Sequence, residues 1–415
     1  MANTAASTIA VLATLDTKGH EAQYLREQLG RLGSAALVVD IGVLGTPQCR
    51  ADVTREQVAA AGGKQLGTML AGATREAATP VMAAGASKLL GERIAAGTIH
   101  AVLGLGGLQG TALCTNVMGT MPYGFPKVMV STVASGDVSA YVGVKDITMM
   151  FSVADLLGVN AFTRRLLANA AGAAHGMALV DVPRIAPRGS KPMIGMSNLG
   201  VLTSGSQLAL ELFAARGYEV LVFHAVGSGG RAMEQMLRQG ILGAVFDYAM
   251  GEVTDELFGG LRAGGKERLT VAGSLGLPQV LCPGGVEHVG VLVSPNTVPE
   301  RWRDHAHVFH NPVVLAPRLN AEEMRQVARE IGRRLQTTRG NAVLMLPKDG
   351  TGRYAMPGGP LRDPAGDAAF FAELQAVVPK TITVVERPLH AEDPAFVREC
   401  VDRMVALIEQ RVGPA

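Results

Sequence analysis

The run Ala101-Val102-Leu103-Gly104-Leu105-Gly106-Gly107-Leu108-Gln109-Gly110-Thr111 limits what this chain can become more than any other stretch. An apolar strand entering clustered glycines, with a helical segment over residues 113–120 behind it, is how an α/β domain presents backbone N–H groups to a phosphate. The glycines let the main chain approach closely, and a helix N-terminus carries roughly half a positive charge. The run departs from both common nucleotide motifs. A dinucleotide fingerprint would need glycine at Gln109, and a P-loop would need lysine before Thr111. A strand-to-helix turn with glycines used only for packing explains the run as well as an anion site does.

The same plan occurs twice. Residues 8–15 read as a strand, 16–19 as a turn, and 20–33 as a helix with Tyr24, Leu25, Leu29 and Leu32 on one stripe. Residues 35–41 form a second strand carrying Asp40, and helices over 54–61 and 76–96 lead to the glycine run. From Lys191 the order starts again: strand 192–199, loop 200–205, helix 206–217, strand 218–225, the cluster Gly227-Ser228-Gly229-Gly230, helix 231–239 and strand 241–248. The repetition predicts an α/β protein of two similar Rossmann-like, doubly wound domains with mainly parallel sheets. They span residues 1–185 and 190–415, with a proline- and glycine-bearing linker over 181–191. The first half continues with a strand at 126–132, a helix at 153–167 and small residues at 168–177, a smooth surface for burial or for a partner subunit. The second ends with helix 321–336, strand 341–346, loop 348–363, helix 364–377, strand 381–386 and helix 394–411.

Composition removes several function classes. The formal net charge is only +2 and no Lys/Arg stripe is interleaved with aromatics, which argues against nucleic acid as partner. No run of 18 apolar residues exists, so no membrane partner is expected. The four cysteines, Cys49, Cys114, Cys282 and Cys400, are isolated, and the N-terminal apolar run stops at Asp16 without a basic leader. Both features point to a cytoplasmic protein.

Ligands of open α/β sheets bind at the carboxyl ends of the strands. In the first half those ends offer Asp16, Thr17, Lys18, Asp40, Gln109, Thr111 and Ser131. Lys18 could supply the cation that the glycine run lacks, Thr17 or Thr111 could meet a phosphate oxygen, and Asp16 or Asp137 could hold Mg²⁺ through water. In the second half the strand ends offer His224, Glu234, Asp247 and Glu252. Asp304-His305-Ala306-His307-Val308-Phe309-His310 has metal-like spacing, but no H-E-x-x-H or cysteine set supports it, and His310 could instead serve a cleft. A G-x-S-x-G elbow is absent, because Leu199 stands where the second glycine would be.

One series of motifs is familiar. Asp16-Thr17-Lys18, Gly104-Leu105-Gly106-Gly107 with Gly110-Thr111, Ser131-Thr132-Val133-Ala134-Ser135-Gly136, and Val222-Phe223-His224-Ala225 with Gly229-Gly230-Arg231-Ala232-Met233-Glu234 follow one another in order. The series resembles a largely uncharacterised bacterial, fungal and plant family that includes the N-terminal ATP-binding region of the tomato mosaic virus resistance protein. The resemblance runs from about residue 8 to 410. It implies ATP with Mg²⁺ in the first domain, and a homodimer. Carried over, it places Asp16, Thr17, Lys18, Gly106, Gly107, Gly110 and Thr111 around the nucleotide, with Arg75 reaching a phosphate. Leu108-Gln109 replaces the family's Ser-Gly within the cradle, and Ala249-Met250-Gly251 replaces three threonines ahead of Glu252.

These readings converge on a cytoplasmic ATP- and Mg²⁺-binding protein of small-molecule metabolism. It would work by phosphoryl transfer or ATP-driven activation, with His224, Glu234, Glu252 and His310 facing an unidentified small molecule. Two alternatives stand beside it: a nucleotide-dependent regulator without turnover, and a lyase using His224 as base.

Overall fold

The computed structural model describes residues 7–70, 75–181 and 191–412, and the chain divides into two compact units, Met1–Ile185 and Ala186–Ala415. The first unit is built on five parallel strands: β1 (Thr8–Ala13), β2 (Ala35–Asp40), β3 (Ala101–Gly106), β4 (Lys127–Ser131) and β5 (Thr148–Phe151). Their order across the sheet is β2-β1-β3-β4-β5. β1 and β3 are buried along nearly their whole length because helices cover both faces, which is why they read as unbroken apolar runs. Ala10, Leu12 and Val102 pack towards the helix Arg75–Ala95, while Ile9, Val11, Leu103 and Leu105 pack towards the helices Leu15–Arg31 and Ala161–Ala178.

The second unit holds six parallel strands. They are β6 (Ile194–Asn198), β7 (Val220–His224), β8 (Ala244–Ala249), β9 (Gln279–Gly284), β13 (Ala342–Pro347) and β14 (Thr383–Arg387). Reading across, the order is β7-β6-β8-β9-β13-β14. Between β9 and β13 the chain makes a small antiparallel sheet of β10 (Val291–Leu292), β11 (His307–Asn311) and β12 (Val314–Pro317). Both large sheets therefore share one plan, with the first two strands running outward to one side before the chain crosses to the other. That is a doubly wound, Rossmann-like α/β architecture with a reversal between β1 and β3, and again between β6 and β8.

Several local expectations are corrected. The helix behind the first glycine run spans Leu108–Gly119 and begins directly after Gly107, so Gly110 and Thr111 lie in its first turns and not in a loop. The second glycine cluster likewise opens the helix Ser228–Arg238. Asp16 and Thr17 sit in the first turn of the helix Leu15–Arg31, which breaks at Lys18 (φ −124°, ψ 18°) before continuing. The helix expected over 153–167 is absent at its start. Val153 is left-handed, Asn160 caps the helix Ala161–Ala178 through the amides of Phe162 and Thr163, and the small residues of 168–177 lie within that helix. β5, β9, the helix Gly251–Phe258 and the antiparallel sheet are additions to the elements read from the sequence. Residues 182–190 of the expected linker at 181–191 lie outside the described residues.

Candidate functional site

The β1/β3 reversal is where a parallel sheet opens a crevice at its carboxyl edge. A cleft of about 360 Å³ occupies it, within the size range of small-molecule sites. Thr14, Asp16, Thr17 and Lys18 follow β1, Gly42, Val43 and Leu44 follow β2, and Gly107, Leu108, Gln109 and Gly110 follow β3. Met82 and Leu113 add apolar wall. The structure thus gathers Asp16, Thr17, Lys18, Gly107, Leu108, Gln109 and Gly110, all of them expected at a nucleotide site.

Each is positioned for an identifiable reason. Gly107 is the N-cap of its helix in extended conformation, so Leu108, Gln109 and Gly110 occupy the first helical positions, whose N–H groups point out of the helix end. A Cβ on Gly107 would meet nothing closer than Thr132 Oγ1 at 3.7 Å, which leaves the backbone open to a ligand. Gly106 serves packing instead. A Cβ there would come within 2.7 Å of Gly110 Cα, so the glycine lets β3 and the helix lie close together. Thr111 also serves packing, since its hydroxyl is buried and lies 2.7 Å from Ser131 Oγ, away from the cleft. Leu108 is 62% exposed at the rim.

The opposite wall depends on Asp40. Its buried carboxylate accepts from the amides of Leu15 (3.2 Å) and Gly42 (2.9 Å), tying the end of β2 to the start of the first helix. Burial pushes this carboxyl above its ordinary value, against the two amides. Arg55 holds the neighbouring loop by donating to the carbonyls of Leu44 and Gly45, both at 2.9 Å. Lys18 contributes the cation, and its Nζ donates to the carbonyl of Leu156. Sequence reasoning missed Arg55, whose signal is only a basic residue one position after the helix-capping Thr54. Arg75 opens the helix Arg75–Ala95, but its side chain lies outside the described residues.

The second unit treats its reversal differently. Val201 and Leu202, following β6, pack against the end of β9 and the loop after β13: a Cβ on Gly284 would sit 2.4 Å from Leu202 Cδ1, and one on Gly352 3.2 Å from Val201 Cγ2. Glu234 and Glu252 do come together, as buried partners of one guanidinium. Arg268, wholly buried, meets Asp247 at 2.5 Å, Glu252 at 2.7 Å and Glu234 at 3.6 Å. Glu252 also accepts from the amides of Gly227 (2.6 Å) and Gly230 (3.0 Å), and Glu234 from those of Leu269 (2.7 Å) and Val271 (3.0 Å). Three carboxylates share one cation here. Burial raises the most distant, Glu234, to about 7, the Arg268 charge and the two amides only partly offsetting it.

The two histidines stand apart from that network. His224 ends the edge strand β7 with an exposed side chain that no carboxylate orients among the described residues. His310, on β11, has Nδ1 3.3 Å from the Tyr354 hydroxyl, and the Tyr354 ring lies edge-on to that of His288. His288 is itself held by Glu287 and Arg262. An arginine only donates, so Nε2 of His288 accepts from it and Nδ1–H faces Glu287. Of the histidine-rich stretch, His305 pairs with Glu323 at 3.0 Å, and no group of three metal-ligating side chains forms among the described residues. No helix described is long and apolar enough to cross a membrane.

Comparison with known proteins agrees with both units. Residues 7–183 match the N-terminal domain of an uncharacterised protein family, UPF0261, and residues 191–408 match its C-terminal domain. A UPF0261 protein of Clostridium tetani is 35% identical over 97% of this chain and 99% of its own length. Another, from Rhizobium meliloti, is 38% identical over 95% and 97%. The tomato (Solanum lycopersicum) ToMV resistance protein Tm-1(GCR237) is 32% identical over 74% of this chain and 41% of that protein. The chain belongs to the uncharacterised protein family UPF0261.

Proposed function

We propose that the first unit binds ATP with Mg²⁺ in the β1/β3 cleft. The observation that carries this reading is a helix N-terminus and a lysine lining one crevice at the sheet reversal. The residues present suit the ligand. Leu108, Gln109 and Gly110 offer the outward amides of a helix end to phosphate oxygens, and Lys18 adds a full positive charge. Ile41, Val43, Met82 and Leu113 supply apolar wall of the kind that receives a base. Asp16 and Thr17 would hold the metal, which needs only one or two protein oxygens when phosphates complete its shell. When bound, Mg²⁺ would screen the phosphate charge. The chain's own part is to orient the nucleotide and shield its apolar end.

Within this reading the protein works in small-molecule metabolism, in the cytoplasm and as a homodimer, by phosphoryl transfer or ATP-driven activation of a second, small ligand. A specific observation favours the rival, nucleotide binding without turnover: Glu234 and Glu252 are consumed by Arg268, and among the described residues no carboxylate is left to serve His224. The same observation weakens a lyase with His224 as base, because no described carboxylate orients that imidazole.

Titration calorimetry with Mg·ATP tests the nucleotide reading. The wild type should bind in the micromolar range and Lys18→Ala at least about tenfold more weakly, the loss of one charge-assisted contact. A wild type that takes up no heat at millimolar Mg·ATP would sink it. ADP release measured with candidate small acids then separates an enzyme from a regulator.

A further inference from the structure

We infer that residues 152–158 form a strap on the nucleotide cleft, latched by Lys18 when the cleft is empty and released when an anionic ligand takes that lysine. The inference rests on the nucleotide reading above and concerns how that site is regulated.

The strap is the chain leaving β5. Its start is fixed, since Ser152 N donates to Ser131 O at 3.0 Å and so continues the pairing of β5 with β4. Its end is fixed as well, because Gly158 N donates to Glu21 Oε1 at 2.7 Å from the first helix. Between these anchors the Leu156 side chain is buried, and the Leu156 carbonyl accepts from the Lys18 ammonium. The segment therefore touches the cleft through the residue that, among those described in its lining, carries a full positive charge.

A second, independent observation lies in the strap itself. Val153 has φ 62°, in the left-handed region that a β-branched side chain rarely enters. The turn around it is tight, with Ala154 N and Ser152 Oγ each in a 2.6 Å bond across it. Yet Val153 is 67% exposed and Leu157 78% exposed, so packing of these side chains does not hold the conformation in place. Strain of this kind persists only where the surroundings impose it. The imposed restraint includes the Lys18–Leu156 bond.

A phosphate seated against Leu108–Gly110 competes for the same ammonium. A hydrogen bond from a cation to an anionic oxygen is roughly twice as strong as one to a neutral acceptor. Lys18 turns to the phosphate, the Leu156 carbonyl turns to water, and Val153 relaxes out of the left-handed region. Occupancy of the cleft is thereby displayed on the surface as movement of a segment bearing two exposed apolar side chains.

Hydrogen–deuterium exchange of the full chain, with calorimetry on the same samples, tests this with Mg·ATP, ADP and inorganic phosphate as probes. The Ala154 and Gly158 amides report on the strap, and those of β3 serve as the fold control for the ligand-free variants. Saturating Mg·ATP should speed strap exchange about tenfold, and Lys18→Ala should do so without ligand while β3 stays protected. Lys18→Arg, which keeps a donor for the carbonyl, should resemble the empty wild type. Mg·ATP binding with unchanged strap exchange overturns the strap and leaves the nucleotide reading intact. Absence of Mg·ATP binding overturns the nucleotide reading, and Lys18→Ala with wild-type strap exchange overturns the latch whatever binds.

Discussion

Glu234 shows how one residue's surroundings decide its role. At a helix position behind a glycine cluster it looks like a candidate acid, and nothing in its sequence neighbourhood names Arg268 as its partner, 34 residues on. In the structure it stands third in line for a single guanidinium, at 3.6 Å against 2.5 and 2.7 Å for Asp247 and Glu252. Burial is therefore less compensated at Glu234, and its pKa rises from 4.5 to about 7. Between those two values the folded chain keeps a proton that the unfolded chain has released. Stability from this group is full below pH 4.5 and is lost as the pH climbs through about 7. Denaturant unfolding of wild type across pH 4.5–8 should show this decline, and Glu234→Gln should flatten it. The substitution should also cost about 1–3 kcal/mol at low pH, since an amide cannot accept from both Leu269 N and Val271 N. An unchanged pH slope in Glu234→Gln would assign the titration elsewhere.

At the scale of elements, the glycine clusters are the readable signal and their exact use is not. Both read as strand-to-helix junctions, yet the helices begin at Leu108 and Ser228, inside the clusters. Leucine and glutamine at 108 and 109 look like loop interruptions when set against glycine motifs, although both are good helix formers at the first helical positions. Residues 153–167 mislead in the opposite way. Val153, Leu156 and Leu157 have helical spacing, but the buried Leu156 and the exposed Leu157 belong to an irregular strap, and the helix waits for the Asn160 cap. What overrides the pattern is tertiary: β4 holds Ser152, Lys18 holds Leu156, and Glu21 holds Gly158. These partners lie up to 138 residues away, beyond any local window. The left-handed turn at Val153 carries its own expectation. Asparagine enters that region far more readily than valine, and the exposed valine gives up little packing. Val153→Asn should raise stability by about 1 kcal/mol, read as a higher unfolding midpoint; a loss would mean that the valine makes contacts worth more than its strain.

Across the whole molecule, one strand order serves two different ends. The β1/β3 crevice stays open because glycines line one wall and Asp40 and Arg55 brace the other. At the β6/β8 reversal Val201 and Leu202 pack against the end of β9 and the loop after β13, and the carboxylates Asp247 and Glu252 are turned inward onto Arg268. Repetition of the fold is legible in the sequence because parallel strands buried on both faces advertise themselves as apolar runs. The difference between the crevices is not, since it depends on which side chains from distant loops meet at each strand end. It has a consequence for ligand binding. A nucleotide held by the first unit stabilises that unit against unfolding by RT ln(1 + [L]/Kd), about 2.7 kcal/mol at a hundred times Kd. The slowest amides of β1 and β3 should then exchange about a hundredfold more slowly with Mg·ATP at that ratio. Those of β8 and β9 should keep their rates if the two units unfold independently. Equal protection of all four strands would show that the units unfold as one. Slower exchange confined to β8 and β9 would move the nucleotide to the second unit and reverse the assignment of the two crevices.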